Sequence, residues 1–453
     1  MSTPALLSIV LAAGKGTRMK SRLPKVLHRI AGLTLVGHVM RTVQAAGGSR
    51  IAVVVGPDMD AVGVEARTWS PGAEMFVQSA QAGTADAVLA AKAALATHTG
   101  DVLVLFGDTP LVEPATIHRM RAVLDQGAGV VVLGFRPADP TGYGRLVTAN
   151  DGALLAIREE KDANPEERRI GLCNSGLMAF RLHDLLDVLG AIGNANANGE
   201  YYLTDAVAIA RQRGARVAYV ECAADEVLGI NTREQLAGAE AVWQRRARAR
   251  AMAGGVTLIA PETVWLSYDT VLGQDVVIEP NVFFAGGVTV EDGAEIRANG
   301  HFEGARIGKG ARVGPFARLR PGAELGADVH IGNFVEVKNV TMGDGAKANH
   351  LAYLGDGHVG AGANIGAGTI FCNYDGFNKN KTRVGDGAFI GSNSALVAPV
   401  QIGKGAYVAA GSVITKNVAD NALAIERSTQ EVREGWAEKY RTMMARQKAA
   451  KSK

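Results

Sequence analysis

Residues 307–337, IGKGARVGPFARLRPGAELGADVHIGNFVEV, carry an aliphatic side chain at every sixth position: Ile307, Val313, Leu319, Leu325, Ile331 and Val337. Six is neither the helical period of about 3.6 nor the strand period of about 2, so these residues line no single helix face or strand face. A strict six-residue period is the signature of a parallel β-helix, whose short strands wind round a prism and turn one aliphatic residue per repeat inward. One coil cannot bury that row, but stacked coils bury what their neighbours expose. The period returns at Val384, Ile390, Leu396, Ile402, Val408 and Ile414.

The repeat breaks at Cys372–Arg383, CNYDGFNKNKTR, a loop that a regular coil does not need and therefore a functional candidate. Between residues 285 and 310, Ile296, Phe302 and Ile307 fall out of step, which predicts a β-helix one coil shorter there. Past 416 the period lapses, and the closing RQKAAKSK is expected to be a disordered basic tail.

Upstream the pattern changes. Leu6–Leu11, Ile51–Val55, Val102–Phe106 and Gly129–Leu133 are short, rich in β-branched residues and ended by glycine or turn residues, while 83–97 has helical periodicity. This predicts a Rossmann-like α/β domain, mostly parallel, with ligand sites at the carboxyl ends of its strands. From 231 to 253 neither proline nor β-branched clusters interrupt a run of Ala, Glu, Gln and Arg with Leu236, Ala239 and Trp243 on one face, which reads as a connecting helix. The expected domains are 1–232, a helical linker at 233–253, and the β-helix with its tail at 254–453.

Lys and Arg number 48 and Asp and Glu 45, so 48 − 45 gives a net charge of +3, and nothing global calls for nucleic acid or a membrane. Small anionic ligands held in local sites are the expectation. Cys173, Cys222 and Cys372 are too few and too far apart for a disulfide framework or a zinc cluster. They read as packing residues in a reducing compartment, and the absence of a basic leader or an apolar run of spanning length agrees with a cytoplasmic protein without a membrane span.

Residues 10–20, VLAAGKGTRMK, break a strand into Gly14-Lys15-Gly16-Thr17-Arg18. The loop fits neither G-x-x-x-x-G-K-[ST], because Gly16 follows the lysine, nor G-x-G-x-x-G, because Met19 stands where the third glycine belongs. Consecutive backbone N–H groups with Lys15, Arg18 and later Lys25 still suit a polyphosphate. With Leu23-Pro24-Lys25 the stretch resembles the signature of the sugar-1-phosphate nucleotidyltransferases, or pyrophosphorylases. Gln78 and Gln81-Ala82-Gly83-Thr84 resemble their uracil-reading strand and loop, and Phe106-Gly107-Asp108 follows a strand as their metal aspartate does. Thr141-Gly142-Tyr143-Gly144-Arg145, Glu159 with Lys161, Asn174-Ser175-Gly176 and Gly229-Ile230-Asn231 keep the family's order. With the hexapeptide half included, nearly the whole chain resembles the bifunctional bacterial enzymes that join N-acetylglucosamine-1-phosphate uridylyltransferase to glucosamine-1-phosphate N-acetyltransferase.

That resemblance implies synthesis of UDP-N-acetylglucosamine for the cell envelope (peptidoglycan and lipopolysaccharide), with acetyl-CoA and UTP as donors, a β-helix wound left-handed, and a homotrimer formed through it. For the nucleotide sugar it implies Leu11, Ala12, Ala13, Gly14, Lys25, Gln78, Gly83, Thr84, Phe106, Gly107, Asp108, Gly144, Glu159, Asn174 and Asn231. Asp108 and Asn231 would hold Mg²⁺, and Arg18 and Lys25 would stabilise the transition state. For acetyl transfer it implies His350 as general base and Arg320, Lys338, Tyr353 and Asn364 on the amino-sugar phosphate. Ala367, Asn373, Tyr374, Ser392, Ala410 and Arg427 would face acetyl-CoA, with Asn373 shared with the amino sugar. Glu336 is expected to orient the base or receive its proton. Two positions depart from the family pattern: Asp86 stands in place of a histidine and Phe106 in place of a tyrosine.

Two other readings compete. A monofunctional sugar-1-phosphate nucleotidyltransferase with a structural β-helix would not need His350, Lys338 and the CNYD loop together. A zinc site of the carbonic-anhydrase kind would need a closer histidine pair than His330, His350 and His358 provide.

Overall fold

The computed structural model describes residues 4–451, which divide into two compact units. One runs to Arg250 and includes Leu266–Tyr268; the other comprises Ala251–Trp265 and the chain from Asp269.

The first unit is built on strands β1 (Leu6–Leu11), β2 (Arg50–Val55), β3 (Glu74–Val77), β4 (Asp101–Phe106), β5 (Val130–Phe135), β6 (Arg145–Thr148), β7 (Leu154–Arg158), β8 (Cys173–Phe180) and β9 (Val217–Cys222). They form one sheet in the order β9-β5-β8-β4-β1-β2-β3, with the β6–β7 hairpin beside β8. Every pair on that path is parallel except those made by β8. The reason is visible in β1, LLSIVL, which is buried at all six positions. A strand covered on both faces has no alternation to show, as in parallel sheets sandwiched between helices. Leu6, Val10, Val53 and Leu103 pack into one helical layer, and Leu7, Ile9, Val54 and Val104 into the other.

Segment 83–97, expected as one helix, is two: Thr84–Ala90 and Lys92–Ala96. Three-residue hydrogen bonds from Ala91 N to Val88 O and from Ala94 N to Ala91 O tighten the backbone at the break. The long helix runs Arg233–Ala253, burying Ala239 with Leu236 and Trp243 packed beside Ile30 and Leu35. Its Arg245 and Arg246 both reach Asp225, at 2.8 and 2.7 Å.

In the second unit, parallel strands of two to eight residues stack coil on coil, and the rows Ile307/Leu325/Met342/Val359, Val313/Ile331/Ala348/Ile365 and Leu319/Val337/Leu354 fill the prism. All twelve aliphatic residues of the six-residue rows are buried. This is the parallel β-helix of the left-handed hexapeptide class. No coil is lost near 285–310: Phe284, Phe302 and Leu319 pair in succession, as do Val290, Ile307 and Leu325. The step from Phe302 to Ile307 is one residue short, and the corner absorbs it at Gly304, whose φ is 51°.

The C-terminal end is also not the expected disordered tail. Residues Trp436–Lys451 form an exposed helix, while Ser452 and Lys453 lie outside the described residues. Strong helix formers fill it, Glu438 sits in its first turn with Lys448 and Lys451 in its last, and Trp436 stacks on Tyr440 one turn on. Charge alone misled there, because a basic composition is also a helix-forming one.

Leu354 is fully buried between coils. Leu354→Ala is expected to lower unfolding stability by about 2–5 kcal/mol in a denaturant titration. A loss well under 1 kcal/mol would contradict its place in the packed prism.

Candidate active sites

In the first unit the chain leaves β1 at Leu11 and turns through Gly16, which adopts φ 62°. A Cβ there would lie 2.6 Å from the Lys25 Cβ, so glycine is what lets the loop fold back over Lys25. Met19 anchors the loop in the core, while Lys15 and Arg18 stay exposed. Arg18 makes no ion pair among the described residues, so its guanidinium is available to an anion. Lys25 Nζ forms an ion pair with Asp108 and donates to Asn231 Oδ1 at 3.0 Å. Asp108 follows β4, and Gly107 N donates to Leu11 O, tying the ends of β4 and β1 together. Asn231 stands just before the long helix, where Gln235 Oε1 accepts from the Asn231 and Thr232 N–H groups.

Beside this loop, Gln81 Nε2 donates to Ala13 O at 2.9 Å, joining the first loop to the one after β3. Gly83 has φ 126°, and a Cβ on it would meet Tyr201 O at 2.5 Å. Thr84 Oγ1 accepts from Leu203 N. Gly144, Glu159 and Asn174 also converge: Asn174 N donates to Gly144 O, and a Cβ on Gly144 would touch the Glu159 carboxylate at 3.3 Å. Phe106 lies over Gly176, whose missing side chain leaves room for the ring. Burial raises the Glu159 carboxyl above its ordinary pKa, the hydrogen bond from Thr204 Oγ1 opposes this, and Asp205, Asp162 and Glu200 add to the rise.

In the second unit one corner of the prism forms a column. Leu351 N donates to Asn333 O, Gly368 N to His350 O, Asn393 N to Ala367 O and Gly411 N to Ser392 O. Arg427 Nη1 closes the column on Ala410 O at 2.8 Å. His350, Ala367, Ser392, Ala410 and Arg427 are thus stacked over four coil steps, about 20 Å at the usual strand spacing. His350 is exposed, and its Nδ1 lies 2.9 Å from Asn333 Oδ1. An amide oxygen only accepts, so Nδ1 carries a proton, and in the neutral ring this tautomer leaves the lone pair on Nε2.

The adjoining face holds Arg320, Lys338 and Tyr353. Lys338 Nζ sits 3.3 Å from both Asp356 oxygens, and the Asn339 and Asn373 amides donate to the same carboxylate at 2.8 and 2.5 Å. Burial alone would raise the Asp356 pKa, but these hydrogen bonds and the Lys338 charge outweigh it and hold it below its ordinary value. Gly355 makes space for the Tyr353 hydroxyl beside the Asn373 amide. Asn364 lies instead on the strand paired with Lys347 and Phe389, on the face that precedes the His350 corner. Tyr374 is exposed on the interrupting loop, which Asp375 shapes by accepting from Phe377 N and Asn378 N.

Residues 8–169 match the MobA-like NTP transferase domain family, and 304–339 and 381–416 match the bacterial transferase hexapeptide (six repeats) family. The bifunctional protein GlmU of Azorhizobium caulinodans is 59% identical over 448 residues, covering 99% of this chain and 100% of that one. The Xanthobacter autotrophicus protein of the same name gives the same identity and coverage. That of Rhodopseudomonas palustris strain BisA53 is 56% identical over 453 residues, the full length of both. The chain belongs to the bifunctional GlmU family. Its two halves are an acetyltransferase and a uridylyltransferase of UDP-N-acetylglucosamine synthesis.

Within this GlmU frame three residues escape a reading of the sequence. Asn333 orients His350, Asp356 gathers Lys338 and Asn373, and Thr204 holds Glu159. Nothing local marks them; each acts through a neighbour 17 or more residues away. Glu336 does not meet the expectation that it serves His350: its oxygens accept from Arg320 at 2.9 Å and Arg318 at 3.4 Å, so it positions the arginines. His358 lies on the face with Thr341 and Arg383, away from the His350 corner, and among the described residues no cluster of three acidic, His or Cys side chains is placed to hold a metal.

A carboxyl whose pKa rises on folding binds its proton more tightly in the folded chain, so its ionisation costs stability as pH climbs past the unfolded value near 4.3. Glu159→Gln is therefore expected to raise the melting temperature by about 1–3 °C at pH 7 and to leave it unchanged at pH 3.5. The same variant should bind UDP-N-acetylglucosamine more weakly, measured by calorimetry.

Proposed function

We propose that the two clusters act as separate sites, with acetyl transfer preceding uridylyl transfer. The observation that carries this is the His350 corner, where an imidazole held through Nδ1 by Asn333, with Nε2 turned to no partner among the described residues, heads a column long enough for an extended thioester cofactor.

In acetyl transfer the amine of glucosamine-1-phosphate must lose a proton to attack the thioester of acetyl-CoA. His350 Nε2 accepts that proton while Asn333 stabilises the imidazolium through Nδ1. Arg320, oriented by Glu336, and Lys338, oriented by Asp356, bind the sugar phosphate; Tyr353, Asn364 and Asn373 complete the amino-sugar site. Ala367, Tyr374, Ser392, Ala410 and Arg427 line acetyl-CoA. Asn364 is on a different face from Arg320, Lys338 and Tyr353. A groove between packed prisms would bring the two faces onto one substrate, which supports a homotrimer with flat faces in contact.

In uridylyl transfer a phosphate oxygen of N-acetylglucosamine-1-phosphate attacks the α-phosphorus of UTP in line, and pyrophosphate leaves. Two anions must meet, so charge neutralisation and alignment dominate. Arg18 and Lys25 stabilise the charge on the transferring and leaving phosphates, and the backbone of Leu11, Ala12, Ala13 and Gly14 cradles them. Gly144, Glu159 and Asn174 bind the sugar and its acetamido group, while Gln78, Gly83 and Thr84 meet the uracil. Asp108 and Asn231 present hard oxygen donors to one point, the donor set that suits Mg²⁺ with phosphate and water completing its shell. Bound there, Mg²⁺ would neutralise phosphate charge; Lys25, now paired to both ligands, would turn to the phosphates.

His350→Ala should lose at least about 100-fold in CoA thiol release while pyrophosphate release from UTP and N-acetylglucosamine-1-phosphate stays near wild type. Asp108→Ala should do the reverse. Loss of both activities in either folded variant would refute the two-site reading.

A further inference from the structure

We infer that Asp86 is a positioning residue that sets the preference for uracil over cytosine by locking the side-chain amide of Gln78. The inference rests on the proposed placement of uracil at Gln78 and deepens it.

Gln78 is buried, and one atom of its amide lies 3.0 Å from Gly83 O and 2.8 Å from Asp86 Oδ2. The Gly83 carbonyl oxygen only accepts, and the Asp86 oxygen already accepts from Ala82, so the atom between them is the nitrogen, and both of its protons are used. The Asp86 oxygen is itself fixed, because Ala82 N donates to it at 3.1 Å. Gln78 therefore has one group left for a ligand, its carbonyl oxygen, which takes no hydrogen bond among the described residues.

An acceptor-only contact at N3 distinguishes uracil from cytosine. N3 of uracil carries a proton and donates to Gln78 Oε1; N3 of cytosine carries a lone pair, which that oxygen repels. To serve cytosine the amide would have to flip, turning its oxygen onto Gly83 O and Asp86 Oδ2 together. The carboxylate thus adds a second penalty to the flip beyond the one from Gly83. A histidine there, with one donor and one acceptor nitrogen, would not fix the amide in the same way. Asp86 acts through Gln78 and touches no reacting atom, so its effect belongs in the ratio of substrates rather than in the chemical step.

The test compares kcat/KM for UTP and CTP, with N-acetylglucosamine-1-phosphate and Mg²⁺, in wild type, Asp86→Ala, Asp86→Asn and Gln78→Ala. Acetyl transfer by the other half of the same chain reports whether each variant has folded, and Asp86→Ser replaces the alanine variant if that activity is lost. The expected result is a UTP:CTP ratio lowered about tenfold or more in Asp86→Ala and kept in Asp86→Asn, whose carbonyl oxygen can still accept from both Ala82 and Gln78. An unchanged ratio in Asp86→Ala, or an equal fall in Asp86→Asn, with a lowered ratio in Gln78→Ala, overturns the role of Asp86. An unchanged ratio in Gln78→Ala overturns the placement of the base itself.

Discussion

Hydrogen bonding between successive coils of the β-helix is the constraint on which acetyl transfer depends. Residues 16 to 25 apart in the chain are held one above another because backbone N–H groups and carbonyls bond between successive coils in both directions. The register is sharp because a slip would expel a buried aliphatic residue from the prism on every face it touched. His350 therefore stands at the head of a row ending at Arg427, and Asp356 faces Lys338 from the coil below. The twelve-residue loop at 372–383 interrupts this regularity without breaking it, since Val359, Val384 and Ile402 still pair in succession.

The nucleotidyltransferase half works on a different principle. Its central strands are buried on both sides, so their residues are committed to packing, and chemistry is left to the loops at their carboxyl ends. Those loops are joined to one another: Gln81 to Ala13, Gly107 to Leu11, and Lys25 to Asp108 and Asn231. Three segments far apart in sequence meet round one cation, the Lys25 ammonium, which draws the Asp108 and Asn231 oxygens to one point.

What the sequence made legible follows from the same physics. The six-residue rows, the buried strands and the loop 10–20 are local patterns, and each reappears where expected. The partners of His350, Lys338 and Glu159 were hidden because coil stacking and sheet order, not sequence neighbours, deliver them. Glu336 is an example: its place in the motif suggests the base, whereas the register puts it beside Arg318 and Arg320. The irregular coil near Phe302 was hard to read because the loss of one residue at a corner mimics a lost repeat. The C-terminal helix is masked by its basic charge, which marks a solvated tail as readily as a helix, although its residues favour the helix.

Two sites with different requirements should separate when the divalent cation is withdrawn. The decisive measurement incubates the protein with glucosamine-1-phosphate, acetyl-CoA, UTP and Mg²⁺, following CoA thiol and pyrophosphate separately, with and without excess chelator. The account predicts thiol release ahead of pyrophosphate, and with chelator an unchanged thiol signal and no pyrophosphate. Loss of both signals with chelator, or pyrophosphate release from glucosamine-1-phosphate without acetyl-CoA, would contradict it.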